Sequence, residues 1–165
     1  PAGTPVHLAL YRLFPECNAV FHTHAPYSLV FASQNRSVPS TTFQMDLLGD
    51  VPCLYSDDNA IKKQFEEDPY EIEIPQGMVQ KPALVAISNT LIAQVETNML
   101  PRRNELKRHG LAFNTLRHGI YVFARHAQEA ADNLFRVETS ARTAIWGSQF
   151  QQDALPNRLS SISGF

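Results

Sequence analysis

The amino-acid sequence predicts an α/β layered domain, and three observations support this fold class. Segments whose apolar residues recur with helical spacing alternate with short apolar, β-branched segments, a pattern typical of layered α/β folds. The chain has 165 residues, about the length of one ordinary domain. Its composition, 44% hydrophobic and 18% charged, is that of a chain that folds around a core.

No repeat or linker divides the sequence, so we expect residues 1–165 to form a single domain. The chain begins Pro-Ala-Gly-Thr-Pro, without an initiator methionine. A mature chain rarely begins in this way, and we therefore expect the domain to lack its N-terminal part.

The first part of the chain predicts two helices that begin at a proline. Thr4 and Pro5 have the preferences of an N-cap and a first helical position, and Pro15 ends this helix. Its apolar residues are Leu8, Leu10, Tyr11 and Phe14. Residues 18–23 are apolar and β-branched and predict a strand. A second helix is expected over residues 26–33.

The later elements are predicted from apolar spacing: strands over 51–55, 70–74, 111–116 and 120–124, and helices over 82–100 and 127–146. The expected buried face of the last helix comprises Ala127, Ala131, Leu134, Phe135, Ala141 and Ile145. Glu138 lies among these residues. Because a buried charge must be paired, we expect its carboxylate to have a partner, either Arg142 or a group on another subunit.

The sequence gives no indication of a nucleic-acid or membrane partner. The formal net charge is −2, and no basic stripe with interleaved aromatic residues is present. No apolar run reaches the roughly 18–20 residues that cross a bilayer, and no signal peptide is visible. Cys17 and Cys53 are too few for a disulfide framework, so we expect a cytoplasmic location.

Three of the six histidines form a candidate metal site. His22 and His24 are separated by one residue on a predicted strand, so both side chains point to one face near the strand end. Alone, this pair is weak evidence for a metal site and is more typical of surface histidines at the end of a strand. His118 stands between two predicted strands, before Gly119, which permits close backbone approach or a positive φ. Three histidines with one further position free are the ligand set of a catalytic divalent ion, above all zinc.

Four segments resemble the class II aldolase/adducin family. They are residues 5–15 (PVHLALYRLFP), 18–24 (NAVFHTH), 117–122 (RHGIYV) and the alanine-rich helix that contains Glu138. They follow the family order over most of residues 3–146. The histidine motif with its preceding helix, together with the later His-Gly, is fairly specific as a set.

The resemblance implies a three-layer αβα sandwich with a mostly antiparallel central sheet, and a homotetramer with sites between subunits. It implies Zn²⁺ or another divalent metal ion bound by His22, His24 and His118. Family members are metal-dependent aldolases, epimerases or dehydratases. A small phosphorylated sugar chelates the ion, which acts as a Lewis acid and stabilises an enediolate.

A carboxylate must still move protons, and here the sequence departs from the family. Counted back from His7, the position of the aldolase acid is occupied by Gly3, so the aldolase-type base is missing. Another family acid follows the second metal histidine by about two dozen residues. Asp46, twenty-two residues after His24, fits that place and is our candidate catalytic residue. Counting from the segment downstream places Met45 there instead, and a solvated turn or a helix N-cap is the alternative interpretation of Asp46.

A second hypothesis is that the chain is a non-catalytic, adducin-like scaffold that keeps the fold. The complete histidine set favours the enzyme, while the absence of the acid and of the family's phosphate-binding loop (Gly-Asn-x-Ser) favours the scaffold. Self-association is expected in either case. Apolar residues at one end of the last helix and in the tail indicate a contact patch: Trp146, Phe150 and Phe165. The alternative is that the tail folds back on its own domain and covers this patch.

Overall fold

The computed structural model describes residues 3–55, Asn59, Lys62 and 82–152. The predicted strand over 70–74 and Phe165 lie outside these residues. Helices and strands alternate in the described chain, which confirms the α/β class. The elements are α1 (Thr4–Leu13), β1 (Ala19–Thr23), α2 (Pro26–Ser33), β2 (Cys53–Leu54), α3 (Pro82–Asn98), a 3₁₀ helix (Leu100–Lys107), β3 (Leu111–Thr115), β4 (Gly119–Ala124) and α4 (Ala127–Gln152).

Helix α1 begins one residue earlier than the sequence predicts. Gly3 is its N-cap, Thr4 lies inside the first turn, and no side chain caps the helix. Pro5 occupies the first turn because its fixed φ suits a helix start and its missing N–H costs no bond there. The buried residues on this side are Val6, Leu10 and Phe14, whereas Leu8 and Tyr11 are exposed.

The four described strands form one sheet in the order β1-β4-β3-β2. Strand β4 pairs antiparallel with both β1 and β3, but β2 pairs parallel with β3. The sheet is therefore mixed, and the expectation of a mostly antiparallel sheet is wrong. The physical reason is the connection. Between β2 and β3 the chain passes through α3, and a helical crossover returns the next strand in the same direction.

The sheet has a separate apolar core on each face. The core against α1 and α3 includes Val6, Leu10, Phe14, Leu91, Val95, Phe113, Tyr121 and Phe123. The core against α2, α4 and the loop before β2 includes Phe31, Val38, Met45, Ile120, Val122, Ala130, Val137 and Ala141. Alternate residues of β4 enter alternate cores, as the pleat requires. The layers are therefore helix, sheet, helix.

The buried face of α4 differs from the one predicted. Its fully buried residues are small or polar: Ala130, Asn133, Val137, Ser140 and Ala141. Phe135 is 72% exposed and Ala127 is also exposed, so the prediction that these two residues are buried is wrong. Ser140 is buried without penalty because its hydroxyl donates to the carbonyl of Pro39 and accepts the N–H of Thr41.

No helix within residues 3–55 and 82–152 has the length and hydropathy of a membrane span. The single-domain organisation of residues 1–165 and the cytoplasmic location stay predictions.

Candidate metal centre

The register of β1 and β4 brings the three histidines to one end of the sheet. His22 lies opposite Tyr121, and Thr23 lies opposite Ile120. Because the strands are antiparallel, the end of β1 meets the start of β4, where the turn that carries His118 joins β3 to β4. The last residue of β1 is Thr23, so His24 lies just beyond it beside that turn.

The three imidazoles converge. One ring nitrogen from each histidine lies within 4.8 Å of the other two. Nε2 of His22 is 3.0 Å from Nε2 of His118, and the ring centroid of His24 lies 4.8 Å from that of His118. His22 is half-buried, while His24 and His118 are exposed. An all-imidazole donor set suits zinc and other borderline divalent ions better than Mg²⁺ or Ca²⁺, so these residues fit the implied metal.

His22 is held by its backbone neighbour on β4. Its Nδ1 lies 3.1 Å from the carbonyl oxygen of Ile120, which can only accept, so Nδ1 carries the proton and Nε2 keeps its lone pair. This arrangement fixes both the tautomer and the ring orientation, as the outer hydrogen bonds of metal-binding histidines commonly do.

Desolvation also favours the neutral form of two of the three histidines, His22 and His118. It lowers the pKa of His22 to about 4, an effect that the Ile120 carbonyl opposes and the neighbouring histidines reinforce. Burial and, less strongly, His24 lower the pKa of His118. A histidine must be neutral to bind a metal ion, so these rings are prepared for binding at neutral pH.

A column of stacked rings supports His22 from the core. The ring centroids of Tyr121 and His22 are 4.1 Å apart, with an angle of 13° between the ring planes. The ring of Phe113 stacks on the Tyr121 ring, with its centroid 5.2 Å from that of Tyr121 and an interplanar angle of 20°. The ring of His7 on α1 meets Tyr121 edge-on at 5.8 Å. Sequence reasoning missed Tyr121. The sequence does place Tyr121 on a predicted strand three residues after His118. Only the register of β1 on β4 shows that it lies opposite His22.

Position 119 requires a glycine because atoms of β1 and His24 approach it closely, and not because its φ is positive. A Cβ atom at this position would lie 2.6 Å from the carbonyl oxygen of Thr23 and 2.8 Å from Cδ2 of His24. Such contacts are closer than real Cβ atoms tolerate. The absence of a side chain at Gly119 therefore lets the end of β1 and the ring of His24 come close to β4.

The N-cap of α1 also adjoins the cluster. A Cβ atom built on Gly3 would lie 3.5 Å from Oη of Tyr121 and 3.8 Å from Cδ2 of His22. These are ordinary contacts, so a side chain at this position would lie beside the histidines. Gly3 thus leaves the cluster without a carboxylate at the place where the family resemblance put an acid.

Asp46 lies apart from the histidine cluster. It sits in a turn, is exposed, and accepts a hydrogen bond of 2.7 Å from the hydroxyl of Ser40. None of its contacts within the described part of the chain is with a histidine. The neighbouring Met45 is fully buried in the core. Of the two positions that sequence counting offered, only Asp46 presents its side chain to solvent.

Glu138 has a partner, as the sequence predicts, but the partner is the backbone of α2. Its carboxylate accepts the N–H of Tyr27 at 3.0 Å and the N–H of Ser28 at 2.7 Å. These are among the first N–H groups of α2, which have no partner inside the helix, and a negative charge is favourable there. Arg142, the candidate within the chain, lies over the ring of Tyr27 instead. Glu138 therefore fixes the start of the helix that follows His24.

The fold is similar to that of two solved structures, L-fuculose 1-phosphate aldolase and YgbL, whose title describes an aldolase/epimerase/decarboxylase. The chain superposes on L-fuculose 1-phosphate aldolase with a TM-score of 0.57 at 17% identity, over 94% of this chain and 58% of that one. It superposes on YgbL of Escherichia coli with a TM-score of 0.54 at 25% identity, over 88% of this chain and 56% of that one.

The sequence is also similar to curated enzymes. It is 24% identical over 145 residues to the L-ribulose-5-phosphate 4-epimerase UlaF of Salmonella typhi, covering 87% of this chain and 53% of that protein. It is 41% identical over 51 residues to the 5-methylthioribulose-1-phosphate/5-deoxyribulose-1-phosphate aldolase of Escherichia coli O45:K1, covering 30% of this chain and 24% of that protein.

The similarity to the epimerases extends over most of this chain but only part of those proteins. The chain spans about half the length of the curated epimerases it matches. The sequence model of one family, described as Class II Aldolase and Adducin N-terminal domain, matches residues 1–145. This match covers well over half of the chain, which therefore belongs to the class II aldolase/adducin family.

Proposed function

We propose that His22, His24 and His118 bind one divalent metal ion, Zn²⁺ or another, and that the whole protein is a metal-dependent lyase or epimerase. The observation that carries this proposal is the convergence of three ring nitrogens within 4.8 Å, one of them with its tautomer fixed. UlaF, L-fuculose 1-phosphate aldolase and the methylthioribulose-1-phosphate aldolase act, by their names, on phosphorylated sugars, and we propose a small phosphorylated sugar as the substrate here.

When bound, the ion would supply a Lewis acid for the negative charge that develops on a substrate oxygen. The three histidines are suited to bind such an ion. Burial favours the neutral form of His22, and its bond to the carbonyl of Ile120 fixes the tautomer that leaves Nε2 free. His24 and His118 are exposed, so the side of the cluster away from the core is open to a small molecule.

Proton transfer needs a further group, and we propose Asp46 of a neighbouring copy in a homotetramer. Asp46 is exposed, and its carboxylate accepts a hydrogen bond from the hydroxyl of Ser40. Within its own chain it is not part of the histidine cluster. An exposed carboxylate in this position is open to a second copy of the chain, and closed rings are the usual form of homo-oligomers.

A non-catalytic, adducin-like scaffold is the second candidate. Gly3 supports it, because an acid is missing beside His22 where a side chain would fit. The histidine cluster supports the enzyme, because a scaffold has no physical need for three convergent imidazoles. We therefore rank the enzyme first.

The first test is metal analysis of the purified protein and of the variant His22→Ala/His24→Ala. We expect one equivalent of Zn²⁺ or Co²⁺ in the unchanged protein and none in the variant. His126→Ala is the matched control, because this histidine is exposed and outside the cluster, and it should keep the metal. Stoichiometric metal in the double variant contradicts the proposed ligands.

The second test uses NMR to follow three sugar phosphates named for the relatives: L-ribulose 5-phosphate, L-fuculose 1-phosphate and 5-methylthioribulose 1-phosphate. The enzyme proposal expects metal-dependent cleavage or epimerisation of a phosphorylated sugar of this class, lost in the double histidine variant. Full metal occupancy without any turnover of these compounds favours the scaffold.

A further inference from the structure

Tyr121 carries a hydroxyl group that the packing of the core does not explain. The residue is only 3% exposed, and its ring belongs to the apolar core against α1 and α3. Phenylalanines fill the neighbouring places in this core, at positions 14, 113 and 123. A phenylalanine in place of Tyr121 would also stack on His22, without bringing a polar atom into the core. The hydroxyl therefore has a cause other than packing.

This hydroxyl has no hydrogen-bond partner among residues 3–55 and 82–152. Other buried hydroxyls in the same part of the chain, those of Ser28, Thr115 and Ser140, each donate to a backbone carbonyl. The fully buried side-chain atoms that lack a partner there lie on other residues: Glu16, Asn114 and Asn133. Oη of Tyr121 is not one of them. The atom is therefore unpaired but still open to a small molecule, although its ring is buried.

The hydroxyl oxygen faces a small space beside the candidate metal centre. A Cβ atom built on Gly3 would lie 3.5 Å from Oη of Tyr121 and 3.8 Å from the Cδ2 atoms of His22 and His7. Because Gly3 has no side chain, these three side chains border a space that is large enough for another atom. Cδ2 of His22 is bonded to Nε2, the atom that faces His118. The space therefore adjoins the proposed metal-binding atom of His22.

We propose that the hydroxyl of Tyr121 forms a hydrogen bond with an oxygen atom of the sugar bound at the metal centre. This inference, which makes Tyr121 a substrate-binding residue, rests on the function proposed above. A tyrosine hydroxyl can both donate and accept a hydrogen bond, so it suits a carbonyl or a hydroxyl oxygen equally. Sugar oxygens lie on adjacent carbon atoms. A sugar with one oxygen beside Nε2 of His22 can therefore place the next one in the space beside Gly3.

A purely structural role of the hydroxyl gives different expectations. In that case Oη contributes to the packing of α1, and a ligand at the metal centre does not touch it. Tyr121→Phe would then lower the Tm of the metal-free protein and leave ligand binding unchanged. The proposal expects an unchanged or higher Tm instead, because the substitution removes an unpaired polar atom and keeps the ring.

The experiment follows ligand binding to the Co²⁺-loaded protein by the visible spectrum of the ion. The ligands are the three sugar phosphates named above and azide, a metal ligand that carries no sugar oxygen. The ratio of sugar affinity to azide affinity isolates the contact with the sugar. We expect Tyr121→Phe to lose about 3- to 10-fold of its affinity for the sugar phosphate that the unchanged protein binds most tightly, the effect of one hydrogen bond. Its affinities for azide and Co²⁺ should be unchanged.

Gly3→Ala tests the same space without changing Tyr121. The added methyl group makes ordinary contacts with Oη of Tyr121 and with His22, so the fold and Co²⁺ binding should be preserved. Because the methyl group fills the place of the sugar oxygen, sugar affinity should fall while azide affinity stays. Tyr11→Phe is the matched control. It removes a tyrosine hydroxyl from the exposed side of α1 and should change none of these affinities.

Three results overturn the inference: Tyr121→Phe binds the sugar as the unchanged protein does, Gly3→Ala does so, or Tyr121→Phe weakens sugar and azide equally. In each case, binding of Co²⁺ and of a sugar phosphate by the unchanged protein leaves the proposed function standing. Failure of the unchanged protein to bind Co²⁺, or to bind any of the three sugar phosphates, overturns the proposed function and this inference together.

Discussion

The substitution Gly119→Ala tests the geometry of the candidate metal centre with a single methyl group. The added Cβ would lie 2.6 Å from the carbonyl oxygen of Thr23 and 2.8 Å from Cδ2 of His24, whereas ordinary contact begins at 3.4 Å. The differences are about 0.8 Å for Thr23 and about 0.6 Å for His24. The carbonyl is backbone, so the end of β1 must move away from β4, and it carries His24 with it.

The displacement of His24 determines how much metal affinity we expect this substitution to cost. Metal–ligand distances vary by only about 0.2 Å in well-formed sites, so a displacement of about 0.6 Å exceeds that tolerance. We expect the affinity for Co²⁺ to fall about 10- to 100-fold, the range seen when the support of a ligand is disturbed. Overpacking should also cost about 1–3 kcal/mol of unfolding free energy, or about 2–4 °C in Tm for each kcal/mol.

Competition titration with a chelator measures the affinity, and thermal unfolding without metal measures the stability. Gly110→Ala is the control. A Cβ there would lie 2.9 Å from the carbonyl oxygen of Phe123 and against the amide of Asn133, away from the histidines. This variant should lose stability and keep its affinity for Co²⁺. If Gly119→Ala is destabilised but binds Co²⁺ as the unchanged protein does, our assignment of His24 as a ligand is wrong.

Three other outcomes are expected. Tyr121→Leu removes the ring stacked on His22 and should weaken Co²⁺ binding about 10-fold in the same titration, whereas Tyr121→Phe keeps the ring and should not; an equal loss in both argues against stacking. Glu138→Ala leaves two N–H groups of α2 without their acceptor and should lower the unfolding free energy in urea by about 1–3 kcal/mol, with a smaller loss for Glu138→Gln. Burial raises the pKa of both cysteine thiols to about 11, from 9.0. At pH 8 they should therefore react with a thiol reagent about 100-fold more slowly in the folded protein than in urea, and equal rates would contradict their burial.

The histidine cluster could be predicted from the sequence because its geometry is largely local. Residues two apart on a strand share a face, which pairs His22 with His24, and a short turn between two strands confines His118 to one end of the sheet. The partners of the cluster could not be predicted. The Ile120 carbonyl and the Tyr121 ring meet His22 only in one register of β1 on β4, and apolar alternation alone does not choose that register.

The buried face of α4, the position of Asp46 and the pairing of β2 could not be predicted, because they depend on contacts that the hydrophobic pattern of the sequence does not reveal. On α4, Asn133 and Ser140 are buried and Phe135 is exposed, because the helix packs against the sheet and the preceding loop through small or hydrogen-bonded side chains. The loop before β2 is irregular, so its apolar residues have no regular spacing. The sequence therefore could not show whether Met45 or Asp46 takes the place of the family acid. The parallel pairing of β2 likewise follows from the path of the chain rather than from the short strand itself.

The position of β1 has a consequence for local unfolding. Among the described strands β1 lies at one edge of the sheet, with β4 as its neighbour, and an edge strand opens more readily than a central one. The proposed ion would join the end of β1 to the turn before β4, so the edge could not separate without breaking a metal bond. We expect amide hydrogen exchange along Ala19–Thr23 to slow markedly when metal is added, while exchange in β3 changes little. The proposed ion would then stabilise the edge of the sheet, and the supply of metal would determine how long β1 stays paired with β4.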